Sequence, residues 1–120
     1  MDHVDLLRTI TRLVRDAGPV AALDTLRHIR PDLASSSPVG GSGYHDTLAV
    51  FYVWAVDRLV AAGLSDAAIL WHPLTDVRSP LSWWDADTLV SIEARTHGVA
   101  STLAEAWEPA PAVRTEALAA

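Results

Sequence analysis

The chain has no cysteine, lysine, asparagine or glutamine. Without cysteine there is no disulfide, no thiolate nucleophile and no cysteine-type zinc site. Without lysine, Schiff-base chemistry and the phosphate-binding lysine of a P-loop are excluded. Any polar site must therefore use Ser, Thr, Tyr, Trp, His, Arg, Asp, Glu or backbone. Long hydrophobic runs are scarce as well. The longest, Leu48–Val56, is followed by Asp57-Arg58 and is half of the roughly 20 residues a bilayer span needs. Nine arginines face fifteen acidic residues for a net charge of −6, and no basic cluster stands out, so neither nucleic acid nor a membrane surface is an expected partner. The opening Met1-Asp2-His3 has neither a basic region nor an apolar signal core, and the cytoplasm is the expected location.

What is present argues for a packed helical domain. Half of the 120 residues are hydrophobic, which opposes disorder, and many of these are alanine, a strong helix former. Abundant Ala, Arg, Val and Asp without Lys or Asn is the usage of a high-GC bacterial gene, a coding bias and not a function. A first helix is predicted over 3–17, with Asp2 as N-cap and an apolar stripe of Leu6, Leu7, Ile10, Leu13 and Val14. Gly18-Pro19 stops it and starts a second helix to about Arg30, where Pro31 intervenes. The Ser- and Gly-rich stretch 35–43 reads as a mobile loop.

A third helix over about 44–62 is apolar almost all round and should be the central member. A short fourth helix is predicted from Ser65 as N-cap to His72, and Ser82-Trp83-Trp84-Asp85 has capping-box spacing for another. A helix from Ser91 to His97 and a last turn or two over 100–107 complete the domain, and 108–120 reads as a flexible tail. The expected architecture is an all-α, up-down bundle of about four core helices with short C-terminal helices, forming one domain over 1–107.

Three histidines carry the functional reading. On a helical wheel His3 lies in the stripe of Leu7, Ile10 and Val14, and His45 lies between Tyr52 and Val56. Both point inward. In an up-down bundle the first and third helices begin at the same end, and the fourth brings His72 there, whereas His28 faces solvent. His45 is the candidate acid or base, tuned by Asp46 or His3. Tyr44, Tyr52, Trp83, Trp84, Arg95 and His72 are the candidate substrate-binding residues. The wheel turns Asp46 towards water, and Arg95 is a possible partner for it. For each residue a structural role competes: capping for the histidines, dipole compensation for Asp46, burial for the tyrosines and tryptophans.

Tyr44-His45-Asp46-Thr47 at a helix start, His72-Pro73, Pro80-Leu81-Ser82-Trp83-Trp84, Leu89 and Ser91-Ile92-Glu93-Ala94-Arg95 together resemble a family of small uncharacterised bacterial proteins. Its members show a Tyr-His-Glu-Thr helix start, a later His-Pro, a Leu-Phe-Ser-Pro-Glu-Ala-Arg segment, and two N-terminal histidines three apart. The resemblance runs over about 2–97 and implies a helical fold with a polar site around His45. Here Leu6 stands in place of the second N-terminal histidine, Asp46 replaces Glu, and the family's Trp-Val-Glu-Pro-Asp-Leu ending is absent. A metal site needing both histidines would be incomplete.

The leading expectation is thus a small cofactor-independent enzyme of specialised metabolism. It would isomerise, cyclise or dehydrate an apolar or aromatic small molecule by acid–base chemistry. The alternatives are a non-catalytic helical interaction module, with a possible homodimer, and a divergent metal-binding protein using His3, His45, Asp46 and His72.

Overall fold

The computed structural model describes residues 1–102, and among these it is all-α, with no strand. Helix α1 (His3–Ile29) starts where Asp2 accepts a hydrogen bond from the Asp5 amide at 2.7 Å. Gly18, at φ 87° and ψ 170°, interrupts it, a backbone state in which a side chain would be strained. The two expected helices thus meet at a kink at Gly18, with Pro19 opening the second. Arg30 ends it in the left-handed region at φ 48°, its amide donating to Leu26 O.

Helix α2 (Asp46–Ala61) is the central element, as its composition predicts. From Asp46 to Val56 every residue is buried. It packs chiefly against α1, whose inner face presents Leu6, Leu7, Ile10, Val14, Leu23 and Leu26. Helix α2 begins at Asp46 and not at Tyr44. The reason is local: the His45 ring takes the capping position, which leaves His45 and Tyr44 in extended or irregular backbone ahead of the helix.

Three single-turn helices follow, α3 (Asp66–Leu70), α4 (Ala86–Leu89) and α5 (Ile92–Thr96). Ser65 caps α3 and Ser91 caps α5, as expected. Two expectations need correction. Helix α3 ends at Leu70, so His72 lies beyond it and caps a 3₁₀ turn over Pro73–Thr75. Helix α4 is capped by Asp85, while Ser82 closes a 3₁₀ turn over Ser79–Ser82. Among the described residues only α1 and α2 are long, so an up-down bundle of about four core helices is not seen there.

The C-terminal part is fastened to α2 by aromatic packing and by hydrogen bonds of Thr47. Phe51 meets Tyr52, Trp54, Trp83 and Trp84 at ring-centroid distances of 5.2–6.1 Å. Trp84 is fully buried, and its indole N–H donates to Val99 O and Ala100 O. Thr47 Oγ1 donates to Ala94 O at 2.6 Å and accepts from the Val99 amide at 3.2 Å.

The segment 35–43 is anchored at several points. A 3₁₀ turn over Ala34–Ser36 carries the buried Ser36, the Leu33 amide donates to Gly43 O, and Asp32 Oδ1 accepts from the amides of Ala34 and Gly43. Residues 100–102 are not helical, and the remainder of the turn expected over 100–107, with the tail 108–120, lies outside the described residues. Among the described residues no helix is long and apolar enough to cross a membrane.

Candidate functional site

The start of α2 collects three of the candidate residues, Tyr44, His45 and Asp46, and hydrogen bonds account for their polar atoms. The Leu48 amide donates to His45 Nδ1 at 3.3 Å, and His45 Nε2 lies 2.7 Å from Leu89 O. A carbonyl only accepts, so Nε2 carries the proton and the ring is the neutral Nε2–H tautomer. Burial holds its pKa below the ordinary histidine range. The bond to Leu89 opposes that shift, the nearby Arg95 cation adds to it and Asp46 acts against it. His45 is only 1 % exposed, and a second proton would remove the acceptor for Leu48 N–H.

Asp46 does not turn to water. Arg27 reaches across from α1 and donates twice, Nε to Oδ1 at 3.0 Å and Nη2 to Oδ2 at 2.9 Å. Tyr44 Oη also donates to Oδ1, at 2.8 Å. Burial alone would push the Asp46 pKa up, yet the guanidinium and the phenol hold it below the usual carboxylate range. Burial together with the hydrogen bond to Asp46 pushes the Tyr44 hydroxyl well up, so it stays protonated. Arg30 stacks over the Tyr44 ring at 4.7 Å. Arg95 does not pair with Asp46. Its guanidinium donates to Ser42 O and Gly40 O and lies against Gly41, whose φ of +85° suits a residue without Cβ.

His3 sits apart from this group. Its Nδ1 is 2.8 Å from Ser36 Oγ, its Nε2 is 2.6 Å from Thr75 O, and its ring meets Tyr52 edge-on at 5.1 Å. Tyr52 donates to Ser36 O at 2.9 Å, and burial pushes its hydroxyl pKa far up. The network joins the first turn of α1, the 34–36 turn, α2 and the 73–75 turn. Ser36 is 1 % exposed, too enclosed to act as a nucleophile despite the histidine beside it.

An open cleft of about 520 Å³ lies beyond His3. It is lined by His3 and Val4 on one side and by residues of the 70–82 segment on the other, among them Trp71, His72, Asp76 and Arg78. The structure thus brings His3 and His72 to one cleft, whereas His45 and Asp46 do not line it. Among the described residues, no group of three or more His, Asp or Glu is placed to hold a metal ion. Trp83 and Trp84, candidates for a wall over a ligand, are 5 % and 0 % exposed and belong to the core.

Trp71, by contrast, is 78 % exposed, the most exposed aromatic described. Sequence reasoning passed over Trp71, Arg78, Arg27 and Ser36. A signal existed for one of them. Arg27 follows Leu23 by four positions and so borders the buried stripe. No protein-family model matches this chain, and comparisons with curated proteins and with solved structures find no significant match.

Proposed function

We propose that this chain is a non-catalytic binding module whose partner seats in the cleft beside Trp71. One contrast carries the reading. The residues suited to acid–base work are engaged in holding the chain together, whereas the cleft presents a large aromatic side chain to solvent. For His45 to act on a substrate it would have to leave both the Leu48 cap and Leu89 O. For Asp46 to act it would have to leave Arg27 and Tyr44. Trp71 makes no such sacrifice, because tryptophan at 78 % exposure has most of its surface left to bury. Tryptophan is also among the residue types that dominate binding energy at interfaces.

The cleft volume falls within the roughly 300–1,000 Å³ that ligand sites span. Its openness favours a ligand that keeps one side in solvent, as a segment of a larger partner does. The test is selection of peptides from a random display library, followed by amide chemical-shift mapping. Selected peptides should perturb residues 3–4 and 70–82 and bind Trp71→Ala at least tenfold more weakly. Peptides that bind Trp71→Ala as tightly as wild type, or a selection that yields none, would overturn the proposal.

A further inference from the structure

We infer that the partner segment is acidic, with an apolar side chain beside its carboxylate; this rests on the binding reading above. The chain as a whole carries a net charge of −6, which repels acidic partners over most of its surface. The cleft departs from that balance, gathering Arg78, His72 and His3 against a single carboxylate, Asp76. Asp76 is already turned back on its own loop, where Oδ1 accepts from the Arg78 amide at 2.8 Å.

Arg78 differs from the arginines engaged elsewhere. Arg15 pairs with Asp66 and Arg27 with Asp46. Arg30 and Arg58 lie over aromatic rings, and Arg95 is held by loop carbonyls. The Arg78 guanidinium has no ion-pair, ring or hydrogen-bond partner among the described residues, and it lines the cleft. A planar guanidinium suits bidentate contact with a carboxylate.

His72 adds a second donor. The Leu74 amide donates to its Nδ1 at 3.0 Å, which places the proton of the neutral ring on Nε2. That N–H has no acceptor among the described residues. Trp71, next in sequence, supplies an aromatic surface for an apolar side chain adjoining the carboxylate. A guanidinium donor, an imidazole N–H donor and an aromatic platform on the same cleft match an acidic and apolar peptide.

The probes are three short peptides of alternating sequence, Leu with Glu, Leu with Gln and Leu with Lys, titrated by fluorescence anisotropy against wild type, Arg78→Ala and Arg78→Glu. The Glu peptide should bind wild type at least threefold more tightly than the Gln peptide and weaken as salt is raised. Arg78→Ala should abolish that preference, and Arg78→Glu should shift it towards the Lys peptide. Equal binding of the Glu and Gln peptides, or failure of all three while library-selected peptides still bind at Trp71, would overturn the acidic inference and leave the cleft reading standing. A homodimer dissolved by Trp71→Ala would replace the acidic peptide by a second copy of this chain. If no peptide of any kind perturbs the cleft, both readings fall together.

Discussion

Replacing His45 by Asn separates its capping role from its titration. Asn is among the best N-cap residues, so the Leu48 amide keeps an acceptor, whereas the bond to Leu89 O is lost. Leaving a buried carbonyl unpaired costs about 1–3 kcal/mol, and that should be the loss for His45→Asn at neutral pH. The pH dependence is the sharper readout. Burial lowers the His45 pKa in the folded state, so the unfolded chain binds its proton first on acidification. Stability from this group is present above the unfolded value of about 6.5 and is lost as pH falls towards the lowered folded value.

The slope is at most about 1.4 kcal/mol per pH unit, which integrates to at most about 1.2 kcal/mol between about pH 7 and about pH 5.5. Asp46, whose pKa is lowered by Arg27 and Tyr44 against the opposing effect of burial, loses its contribution only at more acidic pH. The window above pH 5.5 therefore isolates the histidine from it. Urea midpoints of wild type and His45→Asn across this range are the assay. Wild type should lose more stability on acidification than the variant. The same loss in both proteins would mean that His45 is not held neutral by burial, and the reading of it as a buried neutral imidazole would fail.

Other substitutions probe the rest of the scaffold. Leu48→Ala removes a fully buried side chain and should cost about 2–5 kcal/mol in denaturant unfolding, with Leu59→Ala, 7 % exposed, towards the lower end. Arg27→Ala strands the Asp46 carboxylate, but Arg27 is 38 % exposed, so the loss should be about 1–3 kcal/mol, below the roughly 3–5 of a wholly buried pair. A double-mutant cycle with Asp46→Ala should return a coupling of the same sign. Gly18→Ala meets no neighbour within 4 Å, so its cost is that of the positive-φ, extended-ψ backbone alone, a region essentially reserved for glycine, about 1–3 kcal/mol by thermal unfolding. Gly41→Ala also sits at positive φ, and the Arg95 guanidinium its Cβ meets is the movable end of a flexible side chain, so its cost should be close to that of Gly18→Ala.

The parts of this fold that were legible from the sequence are those written in neighbouring residues. Asp2, Ser65 and Ser91 cap helices within a few positions of themselves, and Gly18-Pro19 marks the break in α1 by its own chemistry. The continuous apolar surface of 48–56 identifies the central helix for the same reason. Where two local signals competed, tertiary packing decided. Ser82 and Asp85 both offer a cap, and Asp85 takes it while Trp83 and Trp84 between them turn into the core.

The candidate site was legible only in direction. A wheel places His45 inward, yet its role depends on Leu89, 44 positions away, and no periodicity reports that contact. Asp46 was assigned to solvent because its partner, Arg27, lies on another helix and reaches it across the turn between them. Its inward pairing left the direction of the His45 shift unchanged, since burial outweighs the Asp46 charge. The exposure of Trp71 is a property of the folded surface and has no sequence pattern of its own.

The division between scaffold and cleft is tested most directly by one nuclear magnetic resonance titration. The ring nitrogens of His45 and the indole N–H of Trp71 would be followed together as a library-selected peptide is added to saturation. The account predicts a large shift at Trp71 and at residues 70–82, with His45 remaining the neutral Nε2–H tautomer and its ring signals unmoved. A dominant change at the His45 ring with Trp71 undisturbed would contradict it and return the functional site to the start of α2.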